Sequence, residues 1–175
     1  MNSFAGIDWL PPAGTTPADP TYRVERWLED TELAVADTPR RLPLVLGFAR
    51  ERLAEIEALI RAHDAEAAGP AIVAYASHLV QASAIVNGLE EAARPAPSLA
   101  LATALLEHQY IVSSDYLDLP RESRAVLAEV MRTAATHYAG VRARLTRRTQ
   151  DSLFFKEEEV RWSWDQAQGA DAQDL

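Results

Sequence analysis

The sequence predicts an all-α protein, an up-and-down helical bundle of about five helices. Apolar residues recur three and four positions apart along most of the chain, which places them on one face of a helix. Alanine and leucine dominate a composition that is 48% hydrophobic, and both favour helices because they lose little side-chain entropy there. The connections between the predicted helices are short, which favours antiparallel neighbours.

Proline positions and composition divide the chain into three predicted segments. Residues 1–19 form an irregular lead, because Pro11 and Pro12 block a helix there. Residues 20–149 form the helical bundle domain, and residues 150–175 form an acidic and aromatic C-terminal tail. A chain of 175 residues is long enough for one domain with its own hydrophobic core.

The first predicted helix covers about residues 20–36. Val24, Leu28 and Val35 fall on one of its faces, and Trp27 lies beside them. This spacing is the pattern of an amphipathic helix.

The second predicted helix ends near His63 and has the clearest pattern of the chain. Its charged residues, among them Glu55, lie mostly on the side away from the apolar stripe. On that side Glu57 and Arg61 form a favourable pair four residues apart. The apolar stripe consists of Leu42, Val45, Ala49, Leu53, Ile56 and Ile60.

The third predicted helix follows a cap at Asp64 and runs to about Ala93. It has no charged residue between Gly69 and Leu89, and its apolar residues cover most of its circumference, which is typical of a central helix. A membrane span needs about 20 predominantly apolar residues. Polar side chains such as Ser77 interrupt this run, so we expect a core helix of a soluble protein rather than a membrane span.

Two further helices complete the predicted bundle. Residues 94–97 break the chain, and Ser98 starts the fourth helix. Leu119 and Pro120 mark the next turn, and a fifth helix follows to about Arg148. Its shared face consists of Leu127, Val130, Ala134, His137, Val141 and Leu145.

Charge and composition exclude several classes of function. The formal net charge of −9 opposes binding to nucleic acid and to anionic membranes, because both carry negative charge. The sequence has no cysteine, which rules out disulfides, thiolate metal sites and cysteine nucleophiles. Residues 1–16 lack a basic region followed by an apolar run, so we expect a soluble, acidic, cytoplasmic protein without a secretory signal.

The patterns that support catalysis are missing from the sequence. A di-metal carboxylate site in a helical bundle needs Glu-x-x-His pairs, and the sequence has none. A serine nucleophile needs a strand–turn–helix elbow, which a helical bundle does not offer. Seven scattered glycines form no phosphate-binding loop. We therefore predict that the chain is not an enzyme and uses no metal or cofactor.

Five polar side chains are candidates for burial in the predicted core. They are His78, Gln81, Asn87, His108 and His137. The simplest interpretation of His78 and His137 is a hydrogen-bonded core histidine. If all of them except His137 converge on a cavity, the alternative is a small-ligand-binding protein or an enzyme with a pocket beside the uncharged helix 70–89.

Two groups of residues are candidates for protein–protein interaction. A basic cluster with Arg144, Arg147 and Arg148 closes the fifth predicted helix, where cations also complement the helix dipole. The tail adds four aromatic residues beside an acidic run: Phe154, Phe155, Trp162 and Trp164. Either these aromatics fill a groove of a partner, or the tail is a last short helix that packs its aromatics on its own bundle or on a second copy. We expect them to be buried, on their own bundle first, because soluble monomers rarely leave that much apolar surface in water.

Three stretches resemble a known family. They are Asp19 to Asp30 (DPTYRVERWLED), Phe48 to Ile56 (FARERLAEI) and Leu119 to Glu122 (LPRE). The likeness covers about residues 19–147 and is to a bacterial domain-of-unknown-function family, number 5667, often found as the helical outer part of anti-sigma-like membrane proteins. The resemblance implies an interaction or sensing module and supplies no catalytic residues. We therefore predict a non-catalytic, regulatory helical module that binds another protein or forms a homo-oligomer.

Overall fold

The computed structural model describes residues 3–7, 9–17 and 19–173, and within them the chain is all-α. These residues hold six α-helices, two short 3-10 turns and no strand. The helices are α1 (Tyr22–Val35), α2 (Thr38–Arg61), α3 (Gly69–Asn87), α4 (Pro95–Asp115), α5 (Arg124–Arg142) and α6 (Arg147–Gln173), and the turns are Glu91–Ala93 and Arg121–Ser123. The ends of the predicted lead and tail, 1–2 and 174–175, lie outside the described residues, as do 8 and 18.

The all-α prediction is confirmed, and the predicted C-terminal tail is a helix, longer than the short helix expected there. α6 begins at Arg147 and has 27 residues. The fifth predicted helix, α5, ends at Arg142 rather than near Arg148. The fourth, α4, begins at Pro95 rather than Ser98. Prolines are tolerated in a first helical turn because the N–H group they lack has no partner there.

Contacts between Cα atoms divide the chain into two compact units. The N-terminal unit is residues 10–97 and contains α1, α2 and α3. The C-terminal unit is residues 1–9 together with 98–175 and contains most of α4 and all of α5 and α6. This division differs from the three segments expected from the sequence, whose boundaries stay predictions.

In the N-terminal unit, α2 carries its predicted apolar stripe into the core. All six residues of the stripe, from Leu42 to Ile60, are buried. On the surface, Arg61 Nε donates to Glu57 Oε1 at 2.7 Å, which confirms the predicted pair. Periodicity therefore identified both the buried side and the solvent-exposed pair of this helix.

α3 packs on α2 and is shorter than predicted. Asp64 does not cap it, since the Asp64 carboxylate accepts a hydrogen bond from Ala67 N (3.2 Å) in a turn before the helix. Val73 and Val80 are exposed, so the prediction of a central helix is wrong on this side. The side that packs inward consists of Ala71, Tyr75, His78, Leu79, Ala82 and Val86.

Among the described residues, α3 is the one helix long and apolar enough to cross a membrane, with a mean hydropathy of 1.3. Core helices of soluble proteins have the same length and composition. Since α3 also packs on α2, its composition gives only weak support for a membrane span.

A two-residue connection, Ala36 and Asp37, joins α1 to α2. The Asp37 carboxylate accepts a hydrogen bond from Arg40 N (3.2 Å), so it caps the start of α2. The short connection keeps α1 beside α2.

α2 ends in a Schellman motif. His63 N–H donates to the Ile60 carbonyl and Asp64 N–H donates to the Leu59 carbonyl, both at 2.9 Å. His63 has a φ of 59°, a left-handed conformation that is costly for any residue with a Cβ atom. Glycine usually occupies this position, so His63 is a strained helix terminus.

In the C-terminal unit, one face of α6 belongs to the core. Leu153, Val160 and Ala167 are buried and lie two helical turns apart. Ser113 of α4 donates to Ser163 of α6 at 2.9 Å. The packed face of α6 is therefore built from small and aliphatic side chains.

Part of the N-terminal lead is anchored on the C-terminal unit. The Phe4 ring is buried and stacks on Tyr110 of α4, with ring centroids 4.3 Å apart. The Lys156 ammonium of α6 lies 4.1 Å from the Phe4 ring centroid. Ser3 N–H donates to the Glu159 carboxylate at 2.6 Å. Irregular backbone here is held by aromatic and ionic contacts rather than by secondary structure.

Candidate functional site

α1 turns its charged side inward. Glu29 is the buried residue of this helix, all of which the structure describes. Around it, side chains of α1, α2 and α3 form a group that we call the ion cluster. Its members are Tyr22, Glu25, Arg26, Glu29, Glu51, Arg52, Glu55 and His78.

Arg52, which is fully buried, lies at the centre of the ion cluster. Its Nη2 donates to Glu29 Oε1 at 2.7 Å and lies 2.9 Å from Glu55 Oε1. Its Nη1 donates to the Tyr22 hydroxyl at 3.3 Å, and its guanidinium lies 5.6 Å from the centroid of that ring. A buried charge is tolerated only when it is paired, so Arg52 joins α1 to α2 through Glu29.

Arg26 and His78 extend the ion cluster to α3. Arg26 Nη1 lies 2.6 Å from Glu29 Oε2 and 3.0 Å from His78 Nε2. Because a guanidinium only donates, His78 Nε2 accepts, and the Nδ1 proton points to Gln81 Oε1 at 3.4 Å. Burial, together with the positive charge of Arg26, lowers the pKa of His78 to about 4, so this imidazole is neutral at neutral pH.

Burial also changes the carboxyl groups of the ion cluster. It raises the pKa of Glu29 and of Glu51, and it raises the pKa of Glu55 to about 7. In each case the charge of Arg52 opposes the effect of burial without cancelling it. Glu55 therefore exchanges its proton near neutral pH.

Three carboxylates of the ion cluster have the spacing of a cation site. Oxygen atoms of Glu25, Glu29 and Glu51 lie within 4.8 Å of one another. Both Glu29 oxygens already accept hydrogen bonds, one from Arg26 and one from Arg52. These two guanidinium groups supply positive charge where a metal ion would supply it.

The outer side of α1 is apolar and open to solvent. Val24, Trp27, Leu28 and Val35, which we call the α1 stripe, are between 55% (Leu28) and 80% (Val35) exposed. The usual orientation of an amphipathic helix is reversed here, because the charged side finds its partners in Arg52 and His78. Among the residues that the structure describes, none buries the α1 stripe.

The aromatic residues of α6 differ from the expectation. Phe154, Phe155 and Trp162 are each more than half exposed, so the prediction that they pack on their own bundle is wrong. The packed face of α6 is occupied by its aliphatic residues, which leaves these three rings on other sides of the helix. Trp164 is half-buried and makes an edge contact with Tyr116, with centroids 4.9 Å apart. Burial of the exposed rings against a second copy stays a prediction.

The basic candidates Arg144, Arg147 and Arg148 are exposed. Because α5 ends at Arg142, they do not close that helix, and Arg147 and Arg148 instead begin α6. Cations at a helix N-terminus oppose the dipole, so the dipole interpretation is wrong for these two residues. Their exposure is compatible with a role in binding.

The candidate buried polar residues divide between the two units. His78 and His108 are buried, Gln81 and His137 are half-buried, and Asn87 is exposed. The prediction of burial is wrong for Asn87 because it ends α3 on the open side of the helix. The structure brings His78 and Gln81 together in the N-terminal unit, whereas His108 belongs to the C-terminal unit.

Each unit has a pocket among its described residues. A groove of about 520 Å³ lies among α4, α5 and α6 in the C-terminal unit. A smaller pocket of about 390 Å³ lies beside the start of α2 and includes Pro39, Pro43 and Phe48. Neither is lined by α3 residues, so the pocket expected beside the uncharged helix 70–89 stays a prediction.

The ion cluster could not be recognised from the pattern of the sequence. That pattern placed Glu55 among the charged residues on the outer side of α2, although Arg52 and Glu55 are buried. The available signal was a pair of matching patterns: Arg26 and Glu29 on α1, and Arg52 and Glu55 on α2, each three residues apart. Such pairs usually lie in solvent, which is why the pattern alone did not indicate burial.

The chain is thus an all-α protein in whose N-terminal unit buried ion pairs hold an amphipathic helix with its apolar side exposed. A family model described as a domain of unknown function (DUF5667) matches residues 14–135. The chain therefore belongs to the DUF5667 family, which confirms the resemblance. No curated protein and no solved structure matches the chain. The matched segment includes α1 and ends within α5, so α6 lies outside it.

Proposed function

We propose that the chain is a non-catalytic helical module that binds another protein through the α1 stripe. The exposure of the α1 stripe carries this proposal. A contiguous apolar patch with a tryptophan is typical of interaction surfaces, because aromatic anchors contribute most of the energy of such contacts. The opposite side of α1 is occupied by the ion cluster, so α1 cannot bury the stripe by turning without breaking those ion pairs.

The charges around the α1 stripe indicate the chemistry of the partner. Glu25 and Glu32 border the stripe on one side by helical geometry, and Arg23 and Asp30 balance each other on the other side. The whole chain has a net charge of −9. A partner that fits is an apolar groove with a basic rim, into which α1 docks as an amphipathic helix.

α6 offers a second proposed surface. Its exposed rings, Phe154, Phe155 and Trp162, lie C-terminal to the basic residues Arg147 and Arg148 along the same helix. We propose that this surface contacts a second copy of the chain or a further protein. Since α6 lies outside the matched segment, this surface extends the module beyond the family domain.

We also propose an arrangement of the helices, a cellular location and a regulatory role. The up-and-down arrangement of the helices follows from their short connections. We propose a soluble, cytoplasmic protein, and its acidic composition supports the absence of nucleic-acid binding. We also propose a regulatory role of the anti-sigma kind, which the family resemblance supports.

Site-specific photo-crosslinking in the native host tests the α1 stripe. A photoreactive residue at Trp27 is expected to give one discrete adduct heavier than the chain, because this position faces the partner. The same residue at Val73, which is exposed on α3, is the matched control and should give none. The double variant Trp27→Ser, Leu28→Ser, with the photoreactive residue at Val24, should lose the adduct.

Two results would contradict the proposal. An adduct of twice the mass of the chain at Trp27 would mean that the stripe covers a second copy. Equal adducts at Trp27 and Val73 would mean that the labelling is not specific to the stripe.

A further inference from the structure

The groove of the C-terminal unit has the size and lining of a small-molecule site. Its volume of about 520 Å³ falls within the range of about 300–1,000 Å³ that such sites occupy. Leu106, Met131 and Val160 form a buried apolar wall, and the half-buried Trp164 adds an aromatic surface. Three helices of one unit contribute this wall, so the groove is part of the packed unit.

At one end of the groove lies the negatively charged Glu157, whose carboxylate already has hydrogen-bond donors as partners. The Glu157 carboxylate accepts hydrogen bonds from Arg142 Nη2 (3.1 Å) and from the Tyr138 hydroxyl. Burial alone would raise the pKa of Glu157, but the hydrogen bonds from Arg142 and Tyr138 outweigh burial and lower it. Glu157 therefore stays ionised at neutral pH and occupies the Arg142 and Tyr138 donors, which are then not free to bind the carboxylate of a ligand at this end.

Arg132 gives the groove its unneutralised positive charge. On α5, Arg132 lies six residues before Tyr138, which is a distance of about 9 Å along the helix axis. The other arginine of the lining, Arg161, is paired with Glu158. Within the part of the chain that the structure describes, the Arg132 guanidinium has no such carboxylate partner.

We propose that this groove binds an amphipathic monoanion, a medium-chain carboxylate, with its carboxylate on Arg132 and its apolar chain along Met131, Val160 and Trp164. A guanidinium forms two parallel hydrogen bonds with a carboxylate, which a neutral head group cannot replace. Because Glu157 already occupies the donors at the other end of the groove, the carboxylate of the ligand lies at Arg132. The proposal goes beyond the proposed function, because it concerns another unit and another chemistry than the α1 stripe.

Isothermal titration calorimetry of the full chain with decanoate, below its micellar concentration, tests the proposal. We expect saturable binding of one decanoate per chain, weaker binding of decanol, and no binding of decylamine. Arg132→Gln should weaken decanoate binding about tenfold or more and leave decanol binding unchanged. Arg23→Gln, which changes an exposed arginine of α1, is the matched control and should leave decanoate binding unchanged.

A second variant tests the apolar wall. Ala135→Trp should fill the groove and abolish decanoate binding, while circular dichroism checks that the helical content is retained. Absence of saturable binding, equal binding of decylamine, or unchanged affinity in either groove variant would each overturn the proposal. The photo-crosslinking at Trp27 does not depend on any of these outcomes, so the two proposals fail separately.

Discussion

Two residues of the ion cluster respond to pH in opposite directions. The folded state raises the pKa of Glu55 from 4.5 to about 7, so its stabilising contribution is complete below pH 4.5 and is lost as the pH rises through 7. The folded state lowers the pKa of His78 from 6.5 to about 4, so its contribution is complete above pH 6.5 and is lost as the pH falls toward 4. From these two residues we expect the free energy of unfolding to decline on both sides of a slightly acidic range.

Glu55→Gln tests the alkaline side. The amide keeps an acceptor for Arg52 but has no proton to lose, so the free energy of unfolding should decline less between about pH 5 and 8 than it does in the unmodified chain. The remaining decline comes from Glu29 and Glu51, whose pKa values are raised by burial as well. Urea unfolding at a series of pH values measures the slope. Glu57→Gln, at a surface pair, is the control; an equal slope in both variants contradicts the interpretation.

His63 offers a test of strain at a single backbone position. Because its φ of 59° is left-handed, His63→Gly should raise the free energy of unfolding by about 1 kcal/mol. His63→Ala removes the same imidazole but keeps the strain, so it should give no such gain. Urea unfolding of the two variants side by side decides the matter, and equal stabilities would show that the side chain, not the backbone, is responsible.

At the scale of single helices, α1 is attached through charges rather than through an apolar face. Arg52 is the residue on which that attachment depends, since it pairs with Glu29 on α1 and with Glu55 on its own helix. Removing one partner of a buried ion pair leaves the other charge without compensation. The consequence should be local, in the pairing of α1 with α2.

Arg52→Met should destabilise the chain by about 3–5 kcal/mol, because buried Glu55 loses its partner and Glu29 keeps only Arg26. Hydrogen exchange measured by mass spectrometry should show faster exchange of peptides from α1 than of peptides from the core of α2. Arg61→Met, at a surface pair, should leave both unchanged. If α1 in Arg52→Met exchanges as slowly as before, the ion cluster is not what holds this helix.

The helices that could be predicted from the sequence are those whose partners are apolar. The stripe of α2 is buried as expected because burial of aliphatic side chains needs no specific partner. The orientation of α1 could not be predicted, since periodicity shows which residues share a face but not which face turns inward. That choice depends on Arg52, a residue distant in sequence. The same argument applies to α6, where Leu153 and Val160 rather than the large rings form the packed face.

At the scale of the whole molecule, α6 contributes both packing and charge pairing to the C-terminal unit. Its buried residues Leu153 and Val160 each stabilise by about 1.5–3 kcal/mol. Glu157 also ties α6 to Arg142 of α5. The C-terminal helix is thus a structural part of its unit as well as a proposed contact surface.

Truncation after Gln150 should lower the melting temperature, because the core loses these aliphatic side chains. Replacing the exposed rings, Phe154, Phe155 and Trp162, by serine should change stability by less than about 0.5 kcal/mol each and should reduce any self-association. Differential scanning calorimetry and light scattering measure the two effects. A truncated chain that melts at the same temperature and keeps the same mass in solution would contradict the packing seen for α6.

Because the orientation of α1 is reversed, substitutions on its outward side and on its inward side should affect folding differently. Substitutions at the outward residues cost little folding free energy, because exposed positions rarely contribute more than about 0.5 kcal/mol. Substitutions at Glu29 or Arg26 disturb the fold itself. The outward residues of α1 can therefore change during evolution and fit new partners, while the inward residues are retained because the fold needs them. Among related chains, the outward positions of α1 should therefore diverge faster than the inward ones, a pattern opposite to that of helices packed on an apolar core.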